Sequence, residues 1–259
     1  MKNISSADNP LYKQFKKLNE STRARRKAGE TLLDGIHLIQ AGIESGVQPK
    51  AIVVASSALS RREISVFLKS IHDVSVICLT DTLFSMISPV DTPTGVLALI
   101  DIPTLSTLSN VDFCLMVENV QDPGNLGSIL RSAAASGIKK AFLSNGCADA
   151  WSPKVLRGGM GAHFVLVIEE QANLVEQVRA FNGLSLATSL DAEISLFEVD
   201  LTGNVAVLVG NEGAGLSDQL MANASMKLRI PMQPHMESLN VAAATAICLF
   251  ERVRQRSVS

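Results

Sequence analysis

The chain has 259 residues, 47% of them hydrophobic and 19% charged, with four cysteines and a formal net charge of −2. That composition fits a well-filled globular protein of one or two domains, and the small net charge excludes a global basic field that would advertise nucleic acid. No N-terminal stretch resembles a signal peptide and no run is long enough to span a bilayer, so a cytoplasmic protein is expected.

Residues 1–30 read as a basic, helix-rich segment in which Leu11, Phe15 and Leu18 recur at helical spacing. Eight basic side chains (Lys2, Lys13, Lys16, Lys17, Arg23, Arg25, Arg26, Lys27) stand against three acidic ones (Asp8, Glu20, Glu30), a local +5 that leaves −7 for the remainder. The asymmetry favours an electrostatic contact at this end, although a solvated helix face carries charge in the same way. Thr31 to Gly35 reads as a strand end, followed by a helix from Ile36. Residues 51–55, 74–79 and 96–100 read as strands, with a helix around Glu63 to Ser70. Alternation at this length makes a small α/β unit. Ile102 to Asn110 is polar, proline-bearing and aperiodic, as a linker is, so the expected domains are 1–102 and 110–259.

Phe113 to Val117 reads as a buried strand that runs into Asn119-Val120-Gln121-Asp122-Pro123-Gly124-Asn125-Leu126-Gly127-Ser128-Ile129-Leu130-Arg131. Asp-Pro-Gly is turn chemistry. Leu126, Ile129, Leu130, Ala133 and Ala134 then make a helical apolar face, with Gly137 as the stop. A strand, tight loop and helix start of this kind brings backbone N–H groups and short polar side chains to the rim of a sheet, where open α/β folds hold ligands. Further strands are expected at 141–144, 164–168, 184–188, 205–209 and 227–230, with helices between them. One of those helices starts at the Ser152 cap with Pro153 behind it, and a last one starts at Ser238. Val205 to Val209 exits into Gly210-Asn211-Glu212-Gly213-Ala214-Gly215-Leu216, and Leu228 to Ile230 into a polar stretch ending Glu237-Ser238-Leu239-Asn240-Val241. Three such exits, each with amide or carboxylate side chains, suggest one composite site. Cys78, Cys114, Cys147 and Cys248 contain no C-x-x-C pair, and His37, His72, His163 and His235 share no spacing. Neither a disulfide framework nor a metal site is expected.

In order and spacing, N-x-x-D-P-x-N-x-G-x-x-x-R from Asn119, N-E-x-x-G-L from Asn211, and I-P-M from Ile230 followed by S-L-N-V-A from Ser238 resemble the three motifs of the SpoU-type RNA ribose 2′-O-methyltransferases of the SPOUT superfamily. The likeness covers about residues 110–255. A looser one, Lys27 to Gly35 with Pro93 to Ala98, looks like the two signature ends of the ribosomal-protein-type RNA-binding domain that precedes many such catalytic domains. The resemblance implies an α/β protein in which a small N-terminal RNA-binding domain is followed by a mostly parallel-sheet catalytic domain with a C-terminal trefoil knot. It also implies a homodimer, for which the small-residue helices at Ala133 and Ala242 are the candidate packing surfaces.

The same resemblance implies S-adenosylmethionine as cofactor, held by Thr188, Ser189, Gly210, Ile230, Met232 and Leu239. It implies a catalytic group of Arg131, Asn125, Glu212, Ser238 and Asn240 and no metal. A free guanidinium keeps its proton at any ordinary pH, so the expected role of Arg131 is to orient ribose and phosphate. Asn240 is expected in the first turn of the last helix, behind a Ser238 cap, and Pro234 stands where the third motif usually carries glycine. The implied partner is RNA, bound through the basic N-terminal domain. Members with that domain often act on large-subunit ribosomal RNA, which makes 23S RNA the expected substrate. Transfer RNA modification and a non-catalytic RNA-binding role are the alternatives. A dinucleotide oxidoreductase is not expected, since no G-x-G-x-x-G follows a strand.

Overall fold

A computed structural model describes residues 1–104 and 111–258 of the chain; the part of the expected linker at 105–110 lies outside the described residues. The strands are β1 (Lys2–Ile4), β2 (Glu30–Asp34), β3 (Ala51–Ala55), β4 (Ser75–Leu79), β5 (Val96–Asp101), β6 (Phe113–Val117), β7 (Lys140–Leu143), β8 (Val167–Glu169), β9 (Leu184–Thr188), β10 (Val205–Val209) and β11 (Met226–Leu228). The helices are α1 (Pro10–Glu20), α2 (Thr22–Ala28), α3 (Ile36–Glu44), α4 (Arg62–Ser70), α5 (Asp81–Ile87), α6 (Pro123–Ala135), α7 (Pro153–Gly159), α8 (Leu174–Ala180), α9 (Asp218–Asn223) and α10 (Val241–Val258). Two compact units result: Met1–Thr104 together with Trp151–Phe164, and the remainder.

The first unit is built on a sheet ordered β1-β4-β3-β5-β2. Strands β1, β4 and β3 are parallel, and β5 runs antiparallel to β3 and β2. Strand β1 adds an edge strand to residues 1–30, which read as helix-rich and otherwise hold α1 and α2. Three residues paired at a sheet edge carry no period, so only tertiary pairing with β4 sets them. Helix α1 buries Tyr12, Phe15 and Leu18. Arg25, one of the eight basic side chains, is buried and donates to the carbonyls of Leu18 (2.6 Å) and Asn19 (3.1 Å), so it serves structure instead of the surface field.

Residues 151–164 fall in the C-terminal half of the sequence yet pack with this first unit. Leu156 and Phe164 join its apolar core, and Phe164 lies against Gly42, where a Cβ would meet its ring at 3.2 Å. The Thr31 hydroxyl donates to the Trp151 carbonyl (2.6 Å). Asp34, whose side chain is fully buried, accepts from the Arg157 guanidinium and from the Thr94 hydroxyl (2.7 Å).

The second unit carries a six-stranded sheet, β11-β9-β10-β6-β7-β8, parallel throughout. Every residue of β6 and β10 is buried, as the continuous apolar runs of a parallel sheet covered on both faces require. Parallel strands share one C-terminal edge, and the pairing of Val117 with Val209 and with Leu143 brings the β6, β10 and β7 exits side by side there. The Asp122 side chain caps α6 by accepting from the Asn125 N–H (2.7 Å), Pro123 fills its first turn, and Gly137 (φ +89°) ends it.

Four expectations change in this unit. The strand expected at 164–168 begins at Val167, after a 3₁₀ turn at Ala162–Phe164. The strand expected at 227–230 is Met226–Leu228; Arg229 instead pairs singly with Ser195, donating to the Ile194 carbonyl (2.9 Å) and accepting from the Leu196 N–H (2.8 Å). Helix α10 starts at Val241, and its cap is Asn240, not Ser238. Asn240 Oδ1 accepts from the N–H groups of Ala242 (2.9 Å) and Ala243 (3.3 Å), as an amide can from the residue before a helix. Ala133 is completely buried within the chain, so it offers no surface to a second subunit. The four cysteines are free, and burial pushes the Cys114 and Cys248 thiols up to about 12. Among the described residues no helix is long and apolar enough to cross a membrane, and no cluster of His, Cys, Asp and Glu could hold a metal ion.

Candidate active site

The exits of β9, β10 and β11, closed by the start of α10, enclose a cavity of about 350 Å³. The β9 exit contributes Thr188, Ser189 and Leu190, and the β10 exit Gly210, Asn211, Glu212, Gly213, Gly215 and Leu216. Leu228, Ile230, Met232, Glu237, Ser238 and Leu239 come from the third exit, and Val241 and Ala244 from α10. The Thr188 hydroxyl donates to the Leu208 carbonyl (3.3 Å). The Ser189 N–H donates to the Leu228 carbonyl (2.9 Å), which ties the β9 and β11 exits together.

The β10 exit is a tight loop in which Asn211 and Gly215 exchange backbone hydrogen bonds (2.9 and 3.0 Å). Asn211 Oδ1 accepts from the N–H groups of Gly213 (2.9 Å) and Ala214 (3.0 Å). Gly210 is required by close approach, because a Cβ there would overlap the carbonyl of Gly215 and the nitrogen of Leu216.

At the cavity rim three distant residues form a directed chain. Asn240 Oδ1 is occupied by the helix cap, so its Nδ2 is the group left to donate, and it donates to Asn125 Oδ1 (2.9 Å). Asn125 must then turn its own Nδ2 outward, to Glu212 Oε1 (3.1 Å). The orientation of both amides is thereby set, and the Glu212 carboxylate is held as an acceptor.

Each expected residue can be located. Thr188, Ser189, Gly210, Ile230, Met232 and Leu239 line the cavity, as do Glu212 and Ser238. Asn125 and Asn240 reach it through the chain to Glu212. Arg131 stands apart: it is exposed on α6 and does not line the cavity. It lies six positions after Asn125, about 9 Å along the helix axis. Pro234 is outside the lining and sits in a turn closed by the Met236 N–H donating to the Gln233 carbonyl (3.3 Å), with His235 at φ +75°. Proline second and a left-handed residue third is type II turn chemistry, which accounts for a proline in place of the usual glycine. The sequence alone assigns no role to Asn211 or Glu237, nor to the apolar wall of Leu190, Leu216, Leu228, Val241 and Ala244. Asn211, Leu216 and Val241 lie within the motifs, whereas Glu237 and the rest of the wall are brought to the cavity only by folding.

The cavity lies in the range of small-molecule sites, roughly 300–1,000 Å³. Its leucines, Ile230 and Met232 suit a flat apolar ring, and exposed strand-exit backbone suits that ring's polar edge. Glu212 and Glu237 favour a cationic group. A nucleoside-like cation fits this donor set.

Residues 112–250 match the SpoU rRNA Methylase family, and residues 9–98 match the MRM3-like substrate binding domain. The chain is 34% identical to an uncharacterized tRNA/rRNA methyltransferase of Synechocystis, over 98% of this chain and 94% of that protein. It is 31% identical to the 23S rRNA (guanosine(2553)-2′-O)-methyltransferase RlmP of Bacillus subtilis, over 96% of this chain and 98% of that one. Among solved structures, the SpoU methyltransferase AviRb of Streptomyces viridochromogenes in complex with AdoMet superposes with a TM-score of 0.84 at 27% identity, covering 96% of this chain and 98% of AviRb.

Proposed function

The chain belongs to the SpoU rRNA methylase family and is an S-adenosylmethionine-dependent RNA ribose 2′-O-methyltransferase, and on that premise we propose that its substrate is large-subunit (23S) ribosomal RNA. The observation that carries the site assignment is the Asn240–Asn125–Glu212 chain at the cavity rim. Two relatives support the choice of RNA: the B. subtilis enzyme is named for a 23S position, and another, of Streptomyces viridochromogenes, for uridine 2479 of 23S rRNA. Residues 1–104 with 151–164 are read as the RNA-recognising unit. Exposed Lys13, Lys17, Arg23 and Lys27 are suited to phosphate contacts there.

In the mechanism, Thr188, Ser189, Gly210, Ile230, Met232 and Leu239 would hold S-adenosylmethionine, which when bound supplies a methyl group on a good sulfonium leaving group. Asn125 and Asn240 keep Glu212 in one place, Asn211 Nδ2 donates to its second oxygen (3.4 Å), and the remaining lone pairs of the carboxylate would accept a hydrogen bond from the ribose 2′-hydroxyl, aligning that oxygen for attack. Ser238 lines the same rim and orients the ribose. Arg131, permanently charged, holds the adjoining phosphate from its exposed position on α6. The 2′-hydroxyl proton would leave to solvent or to a phosphate oxygen.

A trefoil knot and a homodimer complete the reading. The knot is supported by the clasp of residues 194–196 on Arg229 and by the return of α10 against α6. Exposed Phe250 (45%), with Ala243 on the same face of α10, supports a subunit contact there. Four free thiols suit a reducing cytoplasm.

The decisive experiment is radiolabel transfer from S-adenosylmethionine into total ribosomal and transfer RNA from a strain deleted for this gene. Label in 23S RNA that survives alkali in a dinucleotide is expected. Label confined to transfer RNA would overturn the substrate assignment, and absence of cofactor binding would restore the non-catalytic alternative.

A further inference from the structure

The β7 exit touches the β6 exit at one strained residue. Asn119 has φ +54°, a left-handed conformation that asparagine tolerates better than most side chains. Two hydrogen bonds hold it: its N–H donates to Ser144 Oγ (2.9 Å), and the Ser144 hydroxyl donates to Asn119 Oδ1 (3.0 Å). Gly146 lies against the same carboxamide, and a Cβ there would run into Asn119 Oδ1 and Cγ. Turned in this way, the Asn119 carbonyl accepts from Asn211 Nδ2 (2.8 Å). Asn211 in turn organises the β10 exit loop through its Oδ1, and the next residue is Glu212.

We propose that Asn119 is a positioning residue for methyl transfer, and that Ser144 and Gly146, two strands away from the cavity, set its conformation and so the position of the Glu212 carboxylate against Asn125. The proposal rests on the assignment of Glu212, Asn125 and Asn240 to the reacting site. Asn119 touches neither substrate nor cofactor in this scheme; it acts through Asn211.

The test is a set of kinetic measurements on the full-length protein, with kcat and the two KM values taken separately, and melting temperatures alongside. Gly146→Ala adds a methyl whose three nearest neighbours are all atoms of the Asn119 side chain, and it is expected to lower kcat roughly 10- to 100-fold, the scale of an ångström-sized misplacement. In an Asn119→Gly background the methyl has no side chain to strike, so the same change should cost nothing further. Equal losses in both backgrounds, or wild-type kcat for Gly146→Ala, would overturn the proposal. Should Gly146→Ala fail to fold, Ser144→Ala removes both hydrogen bonds to Asn119 without adding volume. It is expected to lower kcat while leaving KM for RNA unchanged, and an unchanged kcat there overturns the proposal equally. Asn119→Asp keeps the acceptor and the left-handed tolerance and should restore most of what Asn119→Ala loses. Glu212→Gln is measured in parallel: full turnover in that variant refutes the site assignment itself, whereas a crippled Glu212→Gln beside normal Gly146→Ala and Ser144→Ala refutes only the role of Asn119.

Discussion

Replacing Gly210 by alanine should separate the geometry of the cavity from its chemistry. The added methyl would sit more than about 1 Å inside ordinary carbon contact distance, and what it strikes is backbone, the Gly215 carbonyl and the Leu216 nitrogen. Backbone cannot rotate away as a side chain can, so the strain is relieved only by moving the 211–216 loop, five of whose residues line the cavity, Glu212 among them. Overpacking of this kind costs about 1–3 kcal/mol, and with two backbone partners the upper half of that range applies. If the loop moves in order to bind, about 2–3 kcal/mol appears as a roughly 30- to 150-fold weaker Kd for S-adenosylmethionine. Calorimetric titration reads this directly. Gly203→Ala is the control at the opposite end of β10, where a Cβ meets nothing within 4 Å, and it should bind normally. Wild-type affinity in Gly210→Ala would refute the reasoning, because the loop would then have accommodated the methyl without disturbing the cavity.

Arg157→Ala strands the buried Asp34 carboxylate and should destabilise the first unit by about 3 kcal/mol. Denaturant unfolding should show a smaller loss in the Asp34→Asn/Arg157→Ala double variant, and equal losses would mean the pair is not coupled. Asn240→Ala removes the α10 cap, about 1 kcal/mol, and frees the Asn125 amide to rotate. Turnover should therefore fall far more than stability does, and proportionate losses would argue for a purely structural cap. Folding raises the Cys114 and Cys248 thiols from an ordinary value of 9.0 to about 12. Their neutral forms thus favour the folded state fully below pH 9, and that contribution disappears as pH climbs toward 12. Circular dichroism across this window should show a Cys114→Ala/Cys248→Ala variant losing less of its stability than the parent does, and parallel curves would contradict the assignment.

What the sequence determined by itself is local. Apolar runs at 51–55, 113–117, 184–188 and 205–209 coincide with β3, β6, β9 and β10, because a strand buried on both faces needs no partner information to be recognised. The Asp-Pro-Gly turn before α6 and the Ser152 cap with Pro153 before α7 were legible for the same reason, since both signals act within one turn. Motif spacing also singled out eight of the residues that line the cavity, by likeness to a family and not by geometry. Tertiary structure alone decided the rest. Strand β1 exists only because β4 is beside it, and residues 151–164 leave their neighbours in sequence to complete the core of the first unit. Asn240 became the α10 cap because folding drew its amide to Asn125, 115 residues away, while Ser238 was left on the cavity wall. The order β11-β9-β10-β6-β7-β8 is what sets Asn125, Glu212 and Asn240 side by side. Periodicity carries no record of that order, because pairing between strands distant in sequence depends on the packing of the whole sheet.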